Sequence, residues 1–114
     1  MIRVIIDRQA DGRIAAFSVT GHAFYGEPGQ DIVCAGVSAV TVGTVNAVET
    51  LTGVELPSRM DDGLLKVRVP DGVEQDTNAK IQLLLESMVV MLNTIQQEYG
   101  AYMQMQQSAQ RKRR

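Results

Sequence analysis

The feature that most constrains the fold is a stretch of seventeen residues, 32–48, in which no side chain is charged. Its many valines and threonines are mediocre helix formers, which leaves open a strand–turn–strand interpretation with the turn at Gly43-Thr44. We predict a helix instead, because Asp31 is a good N-cap and hydrophobic and polar residues do not alternate cleanly. Since apolar residues occupy every face, this helix should be buried between a sheet and a second helix. Its length and its Ser, Thr and Asn content argue against a membrane span.

The rest of the chain predicts two β-hairpins and one long helix. Turn signals at Asp11-Gly12 and Asp62-Gly63 each separate two strand-like runs, and Pro57 indicates that the third run lies at a sheet edge or contains a bulge. Apolar residues at steps of three and four up to Tyr102 predict an amphipathic helix over residues 74–104. The order β-β-α-β-β-α therefore predicts an α+β fold: a four-stranded, mainly antiparallel sheet with one buried central helix and one long amphipathic C-terminal helix. We expect the four strands at residues 1–9, 14–20, 54–60 and 64–69.

Length and charge predict one domain with a distinct end. We place the domain at residues 1–105 of the 114 and expect the basic tail, 106–114, to be disordered. Without the last four residues, which are all basic, seven basic side chains oppose thirteen acidic ones, a net charge of −6. This balance argues against broad nucleic-acid binding by the domain itself and suits a basic protein partner. We predict no signal peptide, because charges interrupt the first apolar run, and we expect a cytoplasmic protein with a free thiol.

The candidate site lies within residues 21–38, where the only cysteine and the only histidine flank a loop punctuated by glycine and proline. With Asp31 as N-cap, Cys34 falls in the first helical turn, where the macrodipole and unpaired amides lower the pKa of a thiol and can stabilise an oxyanion. His22, just past the second strand, is a candidate base. Spacing does not establish contact between the two, so inert packing of both residues stays an alternative. One Cys and one His fall short of a zinc site, and we predict no metal and no cofactor.

A motif in this region resembles the signature of the bacterial ribosomal-processing cysteine protease family, Prp. The matching residues are Gly21-His22-Ala23, Gly29, Asp31-Ile32-Val33-Cys34-Ala35 and Val37-Ser38. Members of that family remove a short N-terminal extension from a large-subunit ribosomal protein, the twenty-seventh. The resemblance implies that Cys34 is the nucleophile of a cysteine endopeptidase and His22 its general base, with Asp31 and Ser38 as supporting residues. It also implies a ribosomal protein as substrate and a homodimer.

Several roles stay open at this stage. Ser38, one turn after Cys34, can bond near the sulfur or back to its own helix. Phe24 and Tyr25 can contact a peptide or anchor the loop on the core. We expect the loop that contacts the substrate to use Gly21, Ala23, Phe24, Tyr25, Gly26 and Gly29. Two rival functions are a non-catalytic homodimeric module that binds a ribosomal or assembly partner, and a redox sensor that uses Cys34 alone.

Overall fold

The structure, a computed structural model, describes residues 1–27 and 29–109. Five strands and two helices follow one another along the chain. They are β1 (Ile2–Arg8), β2 (Ile14–Thr20), α1 (Ile32–Thr52), β3 (Ser58–Asp61), β4 (Leu64–Arg68), α2 (Gln75–Tyr99) and β5 (Met103–Ala109). The α+β class and the order of the first six elements are as predicted.

The sheet has the strand order β3-β4-β2-β1-β5, so β3 lies at an edge, as the proline before it predicted. The two hairpins and the β2–β4 pair are antiparallel, whereas β5 runs parallel to β1. Strand alternation sends apolar side chains to one face, where they form a single core with both helices. The core includes Val4 and Ile6 of β1, Phe17 of β2, and Leu85 and Met88 of α2, all buried. The opposite face of the sheet is left to solvent.

The long amphipathic helix is confirmed as α2, but it ends at Tyr99 and the chain returns as β5, so the sheet has five strands rather than the predicted four. Met103 pairs with Ile2 and is fully buried beside the core. The glutamines and methionines of this strand fit a helix stripe as well as a strand, and the expected helix therefore ran on to residue 104. Residues 106–109, expected to begin the tail, belong to the sheet; the rest of that tail lies outside the described residues.

The uncharged stretch forms the helix α1, and the strand–turn–strand alternative is excluded. Asp31 is its N-cap, and Gly53, at φ 77°, ends it in the left-handed conformation that favours glycine. Burial is confined to one stripe, which contains Val33, Val37, Thr41, Thr44 and Val48. The sheet and α2 cover this stripe, as predicted, and the remaining apolar surface of α1 is partly or fully exposed in a single chain. By length and composition α1 could also cross a membrane, a test that core helices pass as well.

Candidate active site

The carboxylate of Asp31 joins the start of α1 to the loop before it. Oδ1 accepts hydrogen bonds from the backbone N–H groups of Val33 and Cys34, both at 3.0 Å. Oδ2 accepts from the N–H groups of Tyr25 at 2.9 Å and Gly26 at 3.2 Å. The side chain thus acts as the predicted N-cap and also fixes the path of the loop.

The four donors also set the charge of this group. Burial of Asp31 opposes ionisation, but the N–H groups of Cys34, Gly26, Tyr25 and Val33 outweigh it and hold the pKa of the carboxyl below its usual value. The donors come from both sides of the site, so the ionised form stabilises the helix start and the loop together. Since both oxygens are engaged by amides, Asp31 is not placed to orient His22.

The same hydrogen bonds change the expected oxyanion site. The N–H groups of Val33 and Cys34, which the sequence suggested were free, are bonded to the cap, and that of Ala35 donates to the Asp31 carbonyl. The amide that faces the sulfur comes from the loop: Ala23 N–H donates to Cys34 Sγ at 3.3 Å. The sulfur therefore has a backbone donor, but the donor comes from the loop and not from the helix, where the sequence had predicted it.

His22 and Cys34 line the same two cavities, of about 230 and 520 Å³, together with Ser38 and Asp62. The smaller cavity lies between α1 and the β3–β4 hairpin, and the larger one lies under the loop. In the part of the chain that the structure describes, no hydrogen bond joins the imidazole to Sγ. Catalytic hydrogen bonds are often long without substrate, so the two side chains still form a candidate pair. The described residues contain no group of three His, Cys, Asp or Glu side chains that could hold a metal ion.

The β3–β4 turn holds the imidazole of His22. Gly63 has φ 68°, and a Cβ at this position would lie 2.9 Å from His22 Nε2. Its carbonyl accepts a hydrogen bond from Gly21 N–H at 2.9 Å, which fixes the backbone beside the histidine. Asp62 Oδ1 lies 3.8 Å from Nε2 on an exposed side chain. The sequence predicted only a hairpin turn at Asp62-Gly63. The pairing of β2 with β4 brings this turn beside His22, and a prediction of that pairing would have identified the contact.

The two loop aromatics have different surroundings. The ring of Tyr25 packs edge-on against Tyr99 and Tyr102, with centroids 5.5 and 5.0 Å away. Phe24 is 77% exposed, and its ring lies 6.0 Å from that of His22. Tyr25 thus anchors the loop on the core, whereas Phe24 is open to a ligand. Gly26 and Gly29 line the larger cavity beside Phe24, Gly21 lines the smaller one, and Ala23 is buried.

Known proteins resemble this chain over nearly its whole length. The protein family described as Cysteine protease Prp matches residues 1–104. A Bacillus subtilis (strain 168) protein named ribosomal processing cysteine protease Prp is 45% identical over 101 residues, 87% of this chain and 90% of that protein. Crystal structures of the ribosomal processing protease Prp from S. aureus, with a covalently linked product peptide and with a substrate peptide, match at 37% identity with TM-scores of 0.86 and 0.81. Each of these matches covers 95% of this chain and 100% of the other.

Replacement of Asp31 by asparagine should lower the melting temperature at neutral pH and flatten its dependence on acid. Because the folded-state pKa lies below the ordinary value of 3.8, the carboxylate stabilises the fold above that pH. This contribution is lost as the pH falls through the lower, folded-state pKa. Asparagine keeps one acceptor but turns an NH₂ group toward the amides of Tyr25 and Gly26.

Melting temperatures of wild type and Asp31→Asn should be compared from neutral pH down to about pH 2. Asp71→Asn, which removes an exposed carboxylate elsewhere, is the matched control. We expect the gap between wild type and Asp31→Asn to close at the acid end. A gap that stayed constant through the acid range would show that the ionised cap is not its source.

Proposed function

Because this chain belongs to the Prp family of ribosomal processing cysteine proteases, we propose that it is an endopeptidase that works with a Cys34–His22 dyad. The observation that carries this proposal is the meeting of the only cysteine and the only histidine at the same two cavities. His22 takes the proton of the Cys34 thiol, and the thiolate attacks the scissile carbonyl carbon. The imidazolium gives this proton to the leaving amine as the C–N bond breaks, which leaves a thioester. Water, deprotonated by His22, then attacks the thioester; the C–S bond breaks, the acid product leaves, and the imidazolium returns the proton to sulfur.

The N–H group of Ala23 is our candidate for the oxyanion donor. It already lies within 3.3 Å of Sγ, so it is close to any carbonyl group bonded to the sulfur. The first-turn amides of Val33 and Cys34 act indirectly in this proposal, since they hold the Asp31 cap. Asp31 and Ser38 are supporting residues: the first positions the loop and the nucleophile, and the second is an exposed hydroxyl at both cavities.

The proposed substrate is the N-terminal extension of a large-subunit ribosomal protein, the twenty-seventh, which the enzyme removes in the cytoplasm. The relative from B. subtilis is named for ribosomal processing, and the S. aureus protein was crystallised with substrate and product peptides. The net charge of −6 without the four terminal basic residues suits a basic ribosomal protein. We further propose that Phe24, with the adjoining Gly26 and Gly29, contacts the peptide while Tyr25 anchors the loop.

We also propose that two copies of the chain pair through the uncovered sides of α1 and α2. Large apolar side chains point outward there: Ile32, Leu51, Leu83 and Val90. A cavity between the helices is lined by Ala39, Gly43 and Ala47 of α1 and by Met91 of α2, and these small residues permit close approach. Sedimentation at micromolar concentration should give the mass of a dimer, and Val90→Glu should give that of a single chain. A single-chain mass for wild type would contradict the proposal.

The protease function is tested with a peptide that spans the junction between the N-terminal extension and the mature ribosomal protein of the same organism. Wild type should cut it once, as read by mass spectrometry. Cys34→Ala, which lacks the nucleophile, should lower kcat/KM by about 10⁴-fold or more, and His22→Ala by about 10²- to 10⁴-fold.

Circular dichroism shows whether each variant is folded. If folded, reduced wild type cuts neither the peptide nor the full-length substrate, the non-catalytic homodimeric module becomes the better explanation. Cleavage that did not depend on His22 would remove the histidine from the mechanism.

Replacement of Gly63 by alanine tests whether the β3–β4 turn places the base. The added Cβ would lie 2.9 Å from His22 Nε2, closer than van der Waals contact allows, so the imidazole would have to move. We expect kcat/KM to fall by about 10- to 100-fold, as a displacement near 1 Å can cause. Gly72→Ala is the matched control, because Gly72 has a similar φ of 77° but open space around its Cβ position. Equal kcat/KM values in the two variants would contradict this role of the turn.

A further inference from the structure

The charges of the domain are segregated on its surface. No helix covers one side of the sheet, which we call the open sheet face. Seven basic residues precede the four at the end of the chain, and strand alternation and pairing place four of these seven on the open sheet face. They are Arg3, Arg59, Lys66 and Arg68. Only two of the thirteen acidic residues, Asp7 and Asp61, belong to this face. A domain with a net negative charge therefore presents one positive surface.

The basic side chains of the open sheet face are largely unneutralised. Arg59 lies directly opposite Lys66 on the neighbouring strand, an arrangement in which like charges repel. Arg59 has an acidic partner, Asp61, at 3.1 Å. In the described part of the chain, Arg3, Lys66 and Arg68 take part in no ion pair, whereas Arg8, which reaches Glu86 of α2, and Arg13, in the β1–β2 turn, each bind a carboxylate. The fold thus leaves three of the four cations of this face without a carboxylate partner, and one of the three, Lys66, lies opposite the fourth.

The remaining side chains of this face are suited to a hydrated, polar partner. Hydrogen-bonding groups are Ser18, Thr20, Gln104, Gln106 and Ser108. Among the strand residues that the structure describes there, none is aromatic, and Ile5 and Leu64 are the large aliphatic ones. An apolar protein partner would find little to bury, and unstacked bases would find no ring to stack on. Contacts to a regularly spaced, multiply charged anion match this set of groups.

We propose that the open sheet face binds the phosphate backbone of a nucleic acid. Lys66 and Arg68, two residues apart on β4, and Arg59 opposite Lys66 give a cluster that can neutralise neighbouring phosphates. Arg3, beside Thr20 and Gln104, extends the surface across β1. The argument from net charge against nucleic-acid binding assumed that charge is spread evenly over the surface, and the open sheet face departs from that assumption. The active-site cavities lie at α1, the loop and the β3–β4 turn, and none of Arg59, Lys66 and Arg68 lines them, so nucleic acid bound at this cluster would leave them free.

The test measures binding of fluorescent RNA and DNA hairpins of one sequence by anisotropy. Lys66→Gln/Arg68→Gln should lower the slope of log K against log salt by about 1.4 to 1.8 in magnitude, since each phosphate contact contributes about 0.7 to 0.9 to this slope. At about 0.1 M salt, one decade below about 1 M, the change in slope corresponds to binding that is roughly 25- to 60-fold weaker. Arg13→Gln/Lys80→Gln makes an identical change in net charge at the β1–β2 turn and on α2, outside the proposed cluster, and should have little effect. Peptide cleavage should be unchanged in both variants.

A further variant replaces the basic residues 111–114 by glutamine. The proposal fails if this variant alone loses binding, if the two double variants lose binding equally, or if wild type binds neither hairpin. It also fails if polyglutamate of matched charge competes as well as RNA, which would make an acidic polypeptide the partner. Preference for the RNA hairpin would identify RNA as the source of the phosphates, and equal binding of both hairpins would indicate a general backbone site.

Discussion

The buried carboxylate of Asp31 is the interaction on which the functional part of this molecule depends. A carboxylate removed from water needs several donors, and Asp31 finds four backbone N–H groups. Two belong to the first turn of α1 and two to the loop, so one side chain determines where the helix begins and how the loop approaches it. Cys34 is placed by this arrangement, and the loop in turn directs Ala23 N–H at its sulfur.

Features set by neighbours in sequence could be predicted, and features set by distant pairing could not. The cap at Asp31 identified α1 in spite of its valines, and the two turn signals identified the four antiparallel strands. The sequence did not predict the strand at residues 103–109, because its glutamines and methionines fit a helix as well as a strand. The strand forms because the edge of β1 offers backbone hydrogen-bonding partners. The approach of Gly63 to His22 was missed for a related reason: these residues are 41 positions apart and meet because β2 and β4 pair.

The two faces of the sheet have separate physical characters. The covered face packs against the helices in an apolar core, and the cavities lined by His22 and Cys34 lie on this side of the sheet. The open face is polar, and on its strands basic side chains outnumber acidic ones, the reverse of the balance over the domain as a whole. The net charge is a sum over both faces, so it does not reveal that one face of an acidic domain is basic. The sheet is the element that separates them.

The position of β5 has a consequence for how the protein reaches its final state during synthesis. β1 is synthesised before the other strands, whereas β5, its second neighbour in the sheet, is synthesised after them. A hydrogen bond between Ser108 and Asp7, 101 positions apart, joins these two strands. Contacts between such distant residues slow folding, because the ends of a long chain must first find each other. Until the final strand leaves the ribosome, one edge of β1 stays unpaired and Met103 is missing from the core. A chain that stopped at residue 105 would lack the last four residues of this pairing. The segment that sequence patterns treat as the start of a tail is therefore needed to complete the sheet.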